Sequence, residues 1–352
     1  KTSDFDNSIG MNLWFFYQRA VFLGANQYDL KRLEQSAQNR EDWSHGFAQI
    51  AQNHVMAAEE AEEKKRMVSA LQWWRKVSVY FYLAHVTSSS EKKIEYQRLS
   101  CEAYGKIARR LTPAAQKFEI PFQGHVIPGY IRIAGPGAPC VVIMGGLNTS
   151  KEVESYGFGE PFLSRGISVV FFDGLGQGEL ENSSIMPIDS EKVISAVVDF
   201  VISQKGWVDP LRIGVLGFCL GGYFAIRAAA LDSNIRACIS LSGYFDWKKI
   251  HRISSVNQKI LCEKFGFTDL APFTDSDSII TLSALPHRIR KPLFIVHGSN
   301  DHLVPVEQAH QLRDWGEGET KLLVVEGAEH ICFSRLNEIL PEMADWMGEK
   351  LS

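Results

Sequence analysis

The stretch that most constrains this chain is residues 212–230, RIGVLGFCLGGYFAIRAAA. An apolar run, Ile213–Leu216, passes into Gly217-Phe218-Cys219-Leu220-Gly221-Gly222 and then into a segment of helical composition. G-x-C-x-G between a strand and a helix is the pattern of a nucleophile elbow, with Cys in place of the usual Ser. Steric chemistry explains the spacing. The reactive residue sits on a bend with φ > 0, and neighbouring backbone passes so close that the positions two before and two after must be small, here Gly217 and Gly221. The side chain then stands at the positive end of the following helix, where a thiolate is favoured. The Leu220 N–H points the same way and can donate to an oxyanion. The competing reading, an inert buried cysteine in a glycine-rich turn, suits Cys140 and Cys238, which lie inside apolar strands.

The context of the turn decides between the two. From Pro113 onward, short β-branched runs alternate with amphipathic stretches. Lys117–Pro121 and His125–Ile133 read as a hairpin turned at Gln123-Gly124. Strands are expected at Cys140–Met144, Ile167–Phe172, Arg212–Leu216, Ala237–Leu241, Leu293–His297 and Lys321–Val325. Helices are expected near Glu152–Ser164, Ser190–Ser203, Leu220–Ala230, Val306–Trp315 and Ser334–Lys350. Near-continuous apolar strands alternating with helices imply a mostly parallel, doubly wound sheet covered on both faces. Residues 244–290 break the alternation and read as a helical insertion at the C-terminal edge of the sheet.

Residues 1–118 are punctuated differently, holding 4 of the 28 glycines and 1 of the 13 prolines. Such a stretch reads as helical. The expected division is a helical N-terminal cap over 1–115 and a catalytic domain over 116–352. The acidic-then-basic run from Glu59 to Arg66 reads as a solvated surface. Trp73, Trp74, Tyr80, Phe81 and Tyr82 read as helix–helix core, the sharper alternative being that some line a cavity over the site.

A nucleophile of this type needs an acid and then a histidine, in that chain order. Asp301 lies on the loop after the strand Leu293–His297, and His330 on the loop after the last strand. The proposed roles are Cys219 as nucleophile, His330 as base and Asp301 as its orienter. His297 and His302 compete with His330 but do not follow the final strand. Asp269, Asp275 and Asp277 fall in the insertion and read as solvated loop residues. Asp173 reads as the organiser of its own turn. The second oxyanion donor is expected from the loop after the first core strand, at the N–H of Gly146 or Leu147.

Composition closes several alternatives. With 37 basic and 41 acidic residues, the net charge of −4 offers no face for nucleic acid. No run approaches the ~20 apolar residues that span a bilayer, and Met11–Leu23, interrupted by Gln18 and Arg19, does not read as a signal peptide. Six scattered cysteines without ligand spacing argue for free thiols, no metal site and a cytoplasmic location. No cofactor is implied, and the expected partner is a small-molecule substrate.

The motifs together resemble a known family. Ile127-Pro128-Gly129-Tyr130, Gly145-Gly146-Leu147 with Ser150-Lys151-Glu152, and Phe172-Asp173-Gly174-x-Gly176-Gln177-Gly178-Glu179 are more specific than the elbow alone. With Trp43, Asp301 and His330, they make the chain similar to α/β-hydrolases of the fermentation–respiration switch and 2,6-dihydroxypseudooxynicotine hydrolase-like type. The resemblance implies an α/β-hydrolase fold with a helical cap, a nucleophile–Asp–His triad, and cleavage of C–C bonds of β-diketone-like substrates or of esters. It also implies a possible homodimer. Cys219 departs from the Ser usual in the family, though Cys stands in the same turn of dienelactone hydrolases. A thiolate is also a good leaving group, so two alternatives to hydrolysis stay open: elimination of acetate from an acylated intermediate, as in tetronate assembly, and a non-catalytic binding scaffold.

Overall fold

The computed structural model describes residues 13–248, 253–275 and 280–352. The chain divides into two compact units, one formed by residues 1–116 with 152–157 and the other by 117–151 with 158–352.

Among its described residues the first unit is built from helices over Leu13–Leu23, Gln27–Ser36, Arg40–Glu63, Met67–Thr87 and Lys92–Ala108. Local chemistry sets their ends. The Asn26 side chain accepts from the Tyr28 N–H, and Asn39 and Asp42 form a reciprocal capping box at the third helix. The third and fourth helices are separated at Lys64–Arg66, where Lys65 turns left-handed at φ 55°. The fourth is buried without interruption from Val77 to Thr87, so it runs through the middle of the unit rather than along its surface. Trp74, Tyr80, Phe81 and Tyr82 are core side chains, as expected, while Trp73 is only half-buried. The charged run before this helix is mostly exposed, with Glu62 accepting from the Trp74 indole at 3.0 Å.

Residues 152–157 belong to this unit although the sequence places them beside a strand of the other. Arg75 donates to the carbonyls of Glu152 and Val153, and its guanidinium lies 4.1 Å from the Tyr156 ring centroid. Glu154 is buried and pairs with Arg19 at 2.6 Å. The stretch expected as one helix, Glu152–Ser164, is accordingly two: a π-helical turn over Lys151–Ser155 and an α-helix over Tyr156–Leu163.

The second unit is an eight-stranded sheet in the order β1-β2-β4-β3-β5-β6-β7-β8. The strands are β1 Ala115–Phe122, β2 His125–Arg132, β3 Ala138–Met144, β4 Ser168–Phe172, β5 Val208–Phe218, β6 Ile235–Leu241, β7 Leu293–Gly298 and β8 Thr320–Val325. β2 runs antiparallel to β4, and every pairing from β4 through β8 is parallel. The β1–β2 turn takes φ 47° at Gln123 and 81° at Gly124, the left-handed pair a two-residue hairpin needs. Each expected strand is present. β5 is longer than its apolar run, extending back through Pro210 to Val208, which pairs with Ala138 across a bulge. The helix Leu220–Leu231 is buried along most of its length and packs on β5 and β6. Among the described residues of the insertion are helices over Ser255–Phe265 and Ala271–Thr274 and a 3₁₀ turn over Leu282–Ala284. Asp269 and Asp275 are exposed, as read from the sequence; Asp277 lies outside the described residues.

Candidate active site

The bend at residue 219 has the predicted geometry. Cys219 takes φ 55° and ψ −123° between the end of β5 and the first turn of the next helix. Its N–H donates to the Leu241 carbonyl at 2.9 Å, which fastens the bend to the neighbouring strand. A Cβ on Gly217 would stand 2.0 Å from the Gly221 carbonyl oxygen, and one on Gly221 would stand 2.2 Å from that of Met144. Both obstacles are backbone and cannot swing aside. Gly221→Ala is therefore expected to cost ~1–3 kcal/mol by overpacking and to push the elbow away from β3. Urea titration of the purified variant checks the first effect, and kcat in the still-folded protein checks the second.

The loop after β3 crosses directly beside the sulfur. A Cβ at Gly146 would lie 3.0 Å from Cys219 Cβ and 3.4 Å from its Sγ, so the absence of a side chain there lets the backbone approach the reacting atom. Leu220 opens the helix, and its N–H has no intrahelical acceptor. The Gln177 side chain, 1% exposed, supports this loop. Its Nε2 donates to the carbonyls of Gly145 and Gly146 at 2.9 and 2.6 Å, and its Oε1 accepts from the Gly174 N–H.

Asp301 and His330 meet as anticipated, with Nδ1 of His330 2.7 Å from Oδ2 of Asp301. The other carboxylate oxygen accepts the N–H groups of Leu303 and Val304, so the acid is held at both ends. Burial opposes charge on Asp301, but His330 and then His297 outweigh it and hold the carboxyl below its usual range. Burial likewise opposes charge on His330, yet the charges of Asp301 and then Cys219, with the Nδ1–H donated to Asp301, outweigh it and push the imidazole up to about 10. Asp301 and His330 are thus hydrogen-bonded, and Cys219 at the elbow is near enough for its charge to act on the imidazole.

The competing histidines separate clearly. His302 is exposed. His297 is fully buried, its Nε2 2.8 Å from the Val304 carbonyl and 3.5 Å from Asp301, and burial pushes its ring down toward the neutral form. Asp173 organises its turn by accepting from the N–H groups of Lys151 and Glu179. Sequence reasoning missed its larger commitment, an ion cluster in which the buried Lys151 reaches the buried Asp173 at 2.8 Å and the exposed Glu179 at 2.5 Å. It also missed Gln177 and Ser242, whose hydroxyl accepts from the Ile331 N–H at 2.9 Å beside His330. The signal for the first two was the Asp-Gly-x-Gly-Gln-Gly-Glu string itself.

Residues 37–352 match the family described as Esterase FrsA-like. The chain belongs to that family. It is 33% identical over 267 residues to the 2,6-dihydropseudooxynicotine hydrolase of Paenarthrobacter nicotinovorans, covering 74% of this chain and 71% of that protein. It is 31% identical over 229 residues to the 20-hydroxy-prefusarin hydrolase FUS2 of Gibberella moniliformis, covering 60% of this chain and 54% of that one. It therefore spans about half the length of the fungal relative. The crystal structure of the 2,6-dihydroxy-pseudo-oxynicotine hydrolase aligns with a TM-score of 0.86 at 27% identity over 95% of both chains. The α/β-hydrolase fold and the family resemblance read from the sequence are both borne out, and the chain is a hydrolase. Among the described residues no helix is long and apolar enough to cross a membrane.

Proposed function

We propose that this FrsA-like esterase hydrolyses a small acyl compound, an ester or a carbon–carbon bond beside a ketone, through a thioester on Cys219. The carrying observation is that His330 is bonded to Asp301 at 2.7 Å and feels the charge of Cys219 at the strained elbow, with the imidazole pushed up to about 10. His330 takes the proton of Cys219 as the sulfur attacks the acyl carbon, which leaves the imidazolium stabilised by Asp301. The N–H of Leu220 and that of Gly146 or Leu147 receive the developing oxyanion. As the tetrahedral adduct collapses, the leaving group departs with the His330 proton. Neutral His330 then takes a proton from water, which attacks the thioester, and acid is released with the Cys219 thiol restored. Asp301 keeps the ring oriented throughout.

A polyketide-like or aromatic acyl substrate fits the kinds of small organic molecule that the relatives' names record. Hydrolase relatives leave the elimination reading unneeded. The test is brief exposure to p-nitrophenyl acetate followed by intact-mass analysis. One acetyl group is expected on the wild type and none on Cys219→Ala, whose turnover should fall by about 10³-fold or more. Full turnover by Cys219→Ala would overturn the proposal. Incorporation of ¹⁸O from water into the released acid, with the intact alcohol or ketone as the other product, separates hydrolysis from elimination.

A further inference from the structure

We infer that the Tyr244 hydroxyl is a further catalytic group, donating a hydrogen bond to the leaving-group oxygen. The inference rests on the proposed roles of Cys219 and His330 and adds to them a donor on the opposite side of the sulfur from the oxyanion loop.

Sheet order carries the argument. The elbow follows β5, the Gly146 loop follows β3 on one side, and the loop bearing Tyr244 follows β6 on the other, between the elbow and the Asp301 loop after β7. Phe218 and Leu241 are register partners, so Cys219 and Tyr244 lie one and three residues beyond a common rung. The approach is close: a Cβ on Gly243 would stand 3.0 Å from the Gly222 carbonyl carbon in the first turn after Cys219. Ser242, at φ 50°, ties the same loop to the backbone beside His330 through the Ile331 N–H. Tyr244 is thus on the histidine side of the nucleophile, the side from which a leaving group is protonated.

The residue is also held ready. Its ring stacks on Trp247 at 4.1 Å and 13°, and the next two backbone N–H groups, Phe245 and Asp246, both donate to Gln308 Oε1. Tyr244 is 6% exposed, and among the described residues nothing hydrogen-bonds its hydroxyl. The hydroxyl is not among the enclosed polar atoms that lack a partner, so a ligand can reach it and accept its proton in a hydrogen bond. Burial holds the phenol well above its usual range, and the charges of Cys219 and Asp301 add to this. It therefore remains a neutral donor throughout the working range. When the bond to the acyl carbon breaks, its electron pair passes to an alkoxide or enolate oxygen. Tyr244 stabilises that oxygen while His330 delivers the proton, to oxygen in an ester and to the α-carbon in a diketone.

This donor matters in proportion to the basicity of the departing group. The test compares wild type and Tyr244→Phe on p-nitrophenyl, phenyl and trifluoroethyl acetates, which share one acyl group. The expected kcat loss is within threefold for the p-nitrophenyl ester and about 10²-fold for the trifluoroethyl ester, with phenyl between. The retained p-nitrophenyl activity reports that the variant is folded. Equal losses across the series, or none, overturn the assignment, as does a wild type that turns over only the activated ester. Failure of the underlying reading looks different: Cys219→Ala would then retain turnover, or the wild type would be inert toward all three esters.

Discussion

Asp301→Asn is expected to lower kcat by about 10³–10⁴-fold, with a change in the shape of the pH profile that loss of fold would not produce. Asp301 touches His330 at 2.7 Å and is the larger of the two influences that push the imidazole up to about 10 against its burial. In the wild type His330 still carries the leaving-group proton at neutral pH, and activity declines only as pH rises through the upper apparent value of the Cys219–His330 pair. With a neutral amide at 301 the opposing burial is no longer outweighed, so the alkaline limb moves to lower pH. Stability follows the same sign. A group raised from 6.5 to about 10 in the folded state contributes stability that is fully present below 6.5 and is lost as pH rises through about 10. The wild type should lose stability between pH 7 and 10, and the variant should lose much less. A pH–rate series and urea midpoints at pH 6, 8 and 10 check both statements.

Lys151→Met should give the largest loss of stability. The lysine is fully buried and bridges Asp173, itself buried, to Glu179. Removing it leaves an uncompensated buried carboxylate, a change that costs ~3–5 kcal/mol. For a unit of this size the thermal midpoint should fall by roughly 10 °C. Asp173 would keep the two backbone N–H groups it accepts from residues 151 and 179, so the loop should hold its course at reduced stability. The second substitution Asp173→Asn, which removes the stranded charge and keeps an acceptor, is expected to restore part of the loss. Scanning calorimetry of the single and double variants decides it. A double variant as unstable as the single one would show that the lysine acts by packing alone.

The legible parts of this molecule were those written in local chemistry. β-branched runs located β3 to β8, and Gly217 and Gly221 announced a bend whose backbone contacts leave no room for a Cβ. Asp301 and His330 were found by their positions after strands β7 and β8, and they meet. What stayed hidden depends on side chains meeting across the fold. Nothing local marks Lys151 as the partner of an aspartate 22 residues away, or Arg75 as the residue that engages the backbone of 152–153. Tyr244 looked like the first residue of an insertion because its significance comes from strand order, which no single run of residues encodes. The double role of His297, hydrogen-bonded to Val304 and close to Asp301, was invisible for the same reason.

The Gln177 crossbar has a consequence for how the enzyme should respond to its surroundings. A carboxamide neither titrates nor carries a net charge for salt to screen. The hold that this side chain has on Gly145 and Gly146 should therefore be unchanged by ionic strength or pH. Affinity for a neutral mimic of the tetrahedral adduct ought then to stay level under conditions where turnover rises and falls, leaving proton supply, and not the shape of the acyl cradle, to govern the enzyme's working window.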